Sequence, residues 1–177
     1  MLKLIHHPDE ILNKKLDDFD FNNPIMDPFE LEEAMVTLMA EENGIGLSAN
    51  QVGLNARVFV MHTENLKDVT TPFAVFNPKI LNVSEETSLD EEGCLSFPGL
   101  FFKVSRPNRI LVEFLDRTNN KHIIELEGID ARCFMHETDH LDGVCFIDRI
   151  SKLKLNLALK KQRKNNGRTK QRSSISI

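Results

Sequence analysis

The 177-residue chain has no tryptophan and no tyrosine, so twelve phenylalanines supply all of its aromatic bulk. No apolar run approaches the roughly 18 residues a membrane-spanning helix needs. At the N-terminus His6, His7, Pro8, Asp9 and Glu10 interrupt any signal-peptide core. These absences argue against a membrane protein and set the expectation of a cytoplasmic one. Cysteine is scarce: Cys94, Cys133 and Cys145 are an odd number, which does not suggest a disulfide framework and leaves the thiols for ligation or packing. Acid is missing from the end of the chain. No Asp or Glu follows Asp148, whereas ten of the 22 Lys and Arg lie between Arg149 and Arg172, so the net charge of −5 joins a body of −15 to a tail of +10.

What is present is globular: 41% hydrophobic and 28% charged residues, at a length that supports one domain with a core. We expect a body over residues 1–150 and a basic, partly disordered C-terminal segment over 151–177. In Met135-His136-Glu137-Thr138-Asp139-His140-Leu141, two histidines stand four residues apart with a glutamate between them. Ile129, Cys133, Phe134 and Leu141 recur at helical spacing around them. On a helix, His136 and His140 lie only about 40° apart, so both imidazoles reach one ion. Glu137, about 100° round, can touch a metal-activated water without being a ligand. This is the H-E-x-x-H arrangement of metal-dependent hydrolases. The metzincin extension fails, because Phe146 stands where the third histidine belongs.

Elsewhere, Asp27 is placed to N-cap a helix with Pro28 at its first position and Glu30 completing a capping box; Leu31, Met35, Leu38 and Met39 form its apolar stripe and Asn43-Gly44 ends it. His6 and His7 fit a turn near the N-terminus. In Gly44-Ile45-Gly46-Leu47-Ser48-Ala49-Asn50-Gln51, two glycines bracket one apolar residue and permit close approach of another backbone. Strands are expected at Val58–Met61, Phe73–Phe76, Lys79–Val83, Arg109–Leu115 and His122–Leu126, with a polar loop from Asn65 to Thr71 and a break at Asn77-Pro78. Ser84 to Glu92 reads as an acidic connection. From Lys152 to Leu159, leucines alternate as in a strand although the residue types favour helix. The pattern predicts an α+β fold: mainly antiparallel sheets packed around a central helix carrying the H-E-x-x-H motif, an N-terminal helix, and a C-terminal segment of helix or strand.

Cys94 is the leading candidate for a third ligand, since a thiolate and two imidazoles leave one position open to water. Lying 42 residues before His136, it is selected by no local spacing rule. The stretches Gly44–Gln51, Glu92-Gly93-Cys94-Leu95-Ser96 and His136–His140 together resemble, in order and approximate spacing, the three signature motifs of the peptide deformylase family. The family's first motif usually reads Gly-x-Gly-Leu-Ala-Ala-x-Gln, often with Pro before Gln; Ser48 and Asn50 depart from it, which bears on the rigidity of that loop. The resemblance implies hydrolysis of the formyl group from N-formylmethionyl peptides. It implies Cys94, His136 and His140 as metal ligands, Glu137 as general acid/base, and Gln51 with the Leu95 N–H as oxyanion donors. Gly46 would let the peptide lie alongside as an added strand, with Ile45, Ile129 and Cys133 lining a methionine slot. Fe(II) is the implied ion, with zinc, nickel or cobalt as substitutes. Arg106 is placed to pair with Glu92, a couple whose default reading is a surface ion pair.

The implied partners are formylmethionyl nascent peptides and, through the basic segment, the ribosome; neither membrane nor DNA is expected. The implied location is the cytoplasm of a bacterial cell, host- or bacteriophage-encoded, or an organelle. Two other readings compete. A zinc endopeptidase leaves Gln51 and Cys94 unemployed, and a nucleic-acid or ribosome-binding module with a structural metal rests on the basic tail alone.

Overall fold

The computed structural model describes residues 2–63 and 72–160. The expected polar loop at Asn65–Thr71 and the basic segment beyond Lys160 lie outside them. Helix α1 (Pro28–Glu41) starts where the sequence places it, the Asp27 side chain accepting the N–H groups of Phe29 and Glu30. Leu31, Met35, Leu38 and Met39 are its buried face. Strands β1 (Gly46–Ser48), β2 (Val58–Met61), β3 (Phe73–Val83), β6 (Arg109–Leu115) and β7 (Lys121–Glu127) form an antiparallel sheet in the order β1-β2-β3-β6-β7. Strands β4 (Thr87–Gly93) and β5 (Phe101–Pro107) form a separate two-stranded sheet.

Helix α2 (Gly128–Leu141) carries the H-E-x-x-H motif and is buried along almost its whole length. Phe134 on α2 meets Phe59 of β2 edge-on at 5.1 Å. One apolar cluster joins α1, α2 and the five-stranded sheet. A second, built from Leu12, Phe97, Leu100, Val104, Cys145 and Phe146, underlies the two-stranded sheet. A final helix, α3, covers residues 152–160. Ala158 and Leu159 pack against the second cluster, while Leu153 and Leu157 stay exposed. No helix among the described residues is long and apolar enough to cross a membrane.

The structure departs from the sequence pattern in two places and settles a third that the pattern left open. Asn77-Pro78 does not end a strand: β3 runs through it as a bulge, with Asn77 at φ 49° and its carboxamide bonded to the N–H and C=O of Phe19. Residues 87–93, expected as an acidic connection, are a strand, paired with a strand at 101–107 that the pattern did not mark. The leucine alternation after Lys152 belongs to a helix.

Candidate metal centre

Three elements deliver the site. The two-stranded sheet ends at Gly93 and hands the chain to Cys94. α2 supplies His136, Glu137 and His140, and the 3-10 turn Ala49–Val52 supplies Gln51. Sγ of Cys94 and one ring nitrogen from each histidine lie within 4.8 Å of one another. Cys94 Sγ is 3.2 Å from His140 Nε2. His136 Nδ1 faces Glu92 Oε2 at 3.1 Å, which leaves Nε2 for an ion.

This donor set fits a divalent cation. Burial pulls the His136 imidazole down, but its hydrogen bonds to Cys94 and Glu92 and the charge of Glu137 outweigh that and hold it near 10. The surroundings therefore favour positive charge at this point, and the field that holds a proton there also attracts a metal ion. Burial, and then the charges of His136 and Arg106, drive His140 well below its ordinary value, so its ring is neutral and can donate a lone pair.

Glu92 is the hub behind His136. Its carboxylate takes four donors: Arg106 Nε at 2.6 Å and Arg132 Nη1 at 2.5 Å on Oε1, Arg106 Nη2 at 2.9 Å and His136 Nδ1 on Oε2. Burial would raise its pKa, but the bonds from His136 and Arg106 prevail and hold it at about 2. Arg106 reaches on to Asp139, itself gripped by Arg149. Arg132 spans from α2 to Val104 O, Ser88 and Asp90 of the hairpin. The Arg106–Glu92 couple is thus buried, at 3% and 6% exposure, and is no surface pair.

Gln51 is fixed at both ends. Its Oε1 accepts the Ser48 N–H at 2.9 Å, so its NH2 must face the site, 3.1 Å from Ser96 Oγ and 3.4 Å from Cys94 Sγ. Glu137 is buried with Oε2 unpartnered among the described residues. Burial raises its pKa to about 7, against the pull of His136 and Ser48. Gly46 has a use the sequence did not reveal. A Cβ there would lie 2.5 Å from Glu137 Oε1 and 2.8 Å from Cys133 Sγ, so the missing side chain makes room for the carboxylate.

These groups border a cavity of about 530 Å³ lined by Ile45, Gly46, Gln51, Cys94, Leu95, Ile129, Cys133, His136 and Glu137 among others. The residues expected from the sequence to hold the metal, the substrate or the oxyanion all line it except His140, which is wholly buried. The Leu95 N–H makes no hydrogen bond among the described residues. β1 is the edge strand beside the cavity, and Ile45 O accepts the His62 N–H. Residues 45 and 62 are therefore a hydrogen-bonded pair, and by antiparallel alternation the N–H and C=O of Gly46 point to the open edge. Sequence reasoning missed the roles of Ser48, Asn50, Ser96 and Arg132, all buried and polar. Ser48, Asn50 and Ser96 stand in predicted loops and Arg132 on the predicted motif helix, and a polar side chain in neither setting gave a signal of burial. His6 lines the cavity too but stands apart from the ligand cluster.

A family model for polypeptide deformylase matches residues 1–156. The peptide deformylase of Rhizobium meliloti (strain 1021) is 42% identical over 131 residues, 74% of this chain and 75% of its own. The crystal structure of peptide deformylase from Thermotoga maritima aligns at a TM-score of 0.78 and 40% identity, covering 85% of this chain and 98% of that one. A Met-Ala-Ser-bound class I type b peptide deformylase from Acinetobacter baumannii aligns at 0.77 and 30% identity, covering 84% and 98%. The chain therefore belongs to the peptide deformylase family, metal-dependent hydrolases that remove the formyl group from the N-terminal methionine of nascent peptides.

Proposed function

We propose that Cys94, His136 and His140 hold the ion, that Glu137 is the general acid/base, and that Gln51 Nε2 and the Leu95 N–H are the oxyanion donors. The convergence of Cys94, His136, the Glu137 carboxylate and the Gln51 NH2 on one cavity, with His140 buried behind it 3.2 Å from the Cys94 sulfur, carries this reading. A divalent ion there supplies Lewis acidity and lowers the pKa of water from 15.7 toward about 7. The residues supply the rest. Glu137, poised near 7, accepts a proton from the attacking water and returns it to the departing peptide nitrogen, so that formate and a free amine result. As the formyl carbonyl turns tetrahedral, its oxygen gains charge beside the Gln51 NH2 and the Leu95 N–H; one such donor is worth roughly 2.7–4 kcal/mol. The peptide adds to the open edge of β1 through Gly46, and methionine enters the slot of Ile45, Ile129 and Cys133. The relative crystallised with Met-Ala-Ser supports a short peptide beginning with methionine as the product.

The ion assigned is Fe(II), on the resemblance; a Cys/His2 set also accepts zinc, nickel or cobalt. Residues 1–150 form the catalytic body, acting in the bacterial cytoplasm. Lys152, Lys154 and Lys160 on α3 and the basic residues after it serve as a salt-sensitive ribosome anchor, which removal of residues 161–177 should weaken in co-sedimentation without slowing peptide hydrolysis.

The decisive experiment is formate release from formyl-Met-Ala-Ser by protein purified without oxygen, comparing wild type with Glu137→Ala. Release that vanishes in the variant while metal stays bound supports the assignment. Undiminished release from Glu137→Ala removes Glu137 from the chemistry.

A further inference from the structure

Ser48 and Asn50, the two departures from the common first motif, are both wholly buried. Asn50 Nδ2 donates to the backbone carbonyl of His140 at 2.7 Å, and its Oδ1 stands 2.8 Å from the Ser48 hydroxyl. The same hydroxyl lies 2.9 Å from Gln51 Oε1. A hydroxyl carries one hydrogen, so it serves one acceptor at a time, and the Glu137 carboxylate is a third within its influence. It faces the oxygen ends of both carboxamides, whose NH2 groups therefore point away from it, that of Asn50 toward α2 and that of Gln51 toward Cys94.

The His140 carbonyl belongs to the last turn of α2, where carbonyls lack intrahelical partners. It accepts the Gly143 N–H at 3.1 Å, and Asn50 fills its second lone pair. Asn50 is thus a brace between the 3-10 turn bearing Gln51 and the turn of α2 bearing His140. A proline at this position stiffens the turn by fixing φ but offers no donor to that carbonyl. The asparagine achieves stiffness by a tertiary bond instead.

We propose that Asn50, oriented by Ser48, is a positioning residue that couples the placement of Gln51 to that of His140. The proposal rests on the reading of Gln51 as an oxyanion donor. The test is a double-mutant cycle on nickel-loaded protein with formyl-Met-Ala-Ser, pairing Asn50→Ala with Gln51→Ala, together with amide hydrogen exchange. Asn50→Ala alone should lower kcat roughly 10- to 100-fold with KM nearly unchanged, because a misplaced donor fails only in the transition state. On top of Gln51→Ala it should cost less than about twofold, since its effect passes through Gln51. Exchange at Gly143 and across residues 49–52 should quicken in the single variant.

An equal fall in kcat in both backgrounds, or no fall in either, overturns the proposal. Gln51→Ala with undiminished kcat removes the donor reading and the proposal with it, whereas a slow Gln51→Ala beside a normal Asn50→Ala overturns the proposal alone. If Asn50→Ala does not fold, Ser48→Ala takes its place: it installs the residue common in the family and should show the same pattern at about two- to fivefold in kcat. An unchanged kcat there overturns the proposal.

Discussion

Two antiparallel hairpins of equal strand length are built on opposite principles. β6–β7 turns Ile110, Val112, Phe114 and Leu126 inward, and its tip is closed by Asp116, whose carboxylate accepts the N–H groups of Thr118 and Asn120 and the Thr118 hydroxyl. β4–β5 buries Glu92 and Arg106 beside Val104 and closes over Arg132 from α2. The first is held by apolar burial and could be exchanged for many sequences of similar shape. The second is held by charges that are stable only as a complete set, and that set fixes the imidazole of His136 and the approach to Cys94. Ordinary packing supports the sheet, while an ionic network lies behind the metal centre.

Breaking the ionic hairpin should have the largest effect. Glu92→Ala leaves two buried guanidiniums without their shared carboxylate and His136 without its Nδ1 acceptor. We expect a loss of about 3–5 kcal/mol in denaturant unfolding, with metal content falling by roughly 10- to 100-fold in affinity under chelator competition. The apolar hairpin should break differently. Leu126→Ala, at 2% exposure, should cost about 3 kcal/mol while metal affinity, read in the same chelator assay, stays within a factor of two of wild type. A large loss of metal in Leu126→Ala would erase the distinction between the two hairpins.

The smallest effect sharpens the comparison at the tip of β6–β7. Burial raises the Asp116 pKa, but the Thr118 hydroxyl, His122 and the N–H groups of Asn120 and Thr118 overcome that and hold it at about 2, against an ordinary 3.8. The folded pKa is the lower one, so this contribution is present above pH 3.8 and fades as pH falls toward 2. Asp116→Asn should therefore flatten the decline of stability between pH 3.8 and 2, seen as a smaller gap from wild type at pH 2 than at pH 5 in thermal melts.

The same contrast explains what could be read from the chain. β6 and β7 were legible because Ile110-Leu111-Val112, Phe114 and Ile123-Ile124 are short apolar runs of strand-favouring residues, and α1 because Asp27-Pro28 starts it and Leu31, Met35, Leu38 and Met39 keep the helical period. β4, Thr-Ser-Leu-Asp-Glu-Glu-Gly, has no apolar alternation because its inward positions are polar. It reads as a connection until Arg106 and Arg132 are placed against it. The Asn77-Pro78 bulge was hidden for a related reason: Asn77 is stabilised by Phe19, 58 residues away.

Residue type and local period alone marked the candidate ligand pair on α2, the glutamate between them and the capped first helix, because each depends on neighbours within one or two turns, and composition alone showed the acidic body with its basic tail. Only the tertiary structure decided that Cys94 meets His140, that Gly46 is bare to admit Glu137, that burial lifts Glu137 to about 7, and that Asn50 reaches the carbonyl of His140. Those facts depend on contacts between residues 46 to 91 positions apart, and on water being excluded where they meet, which no local pattern encodes.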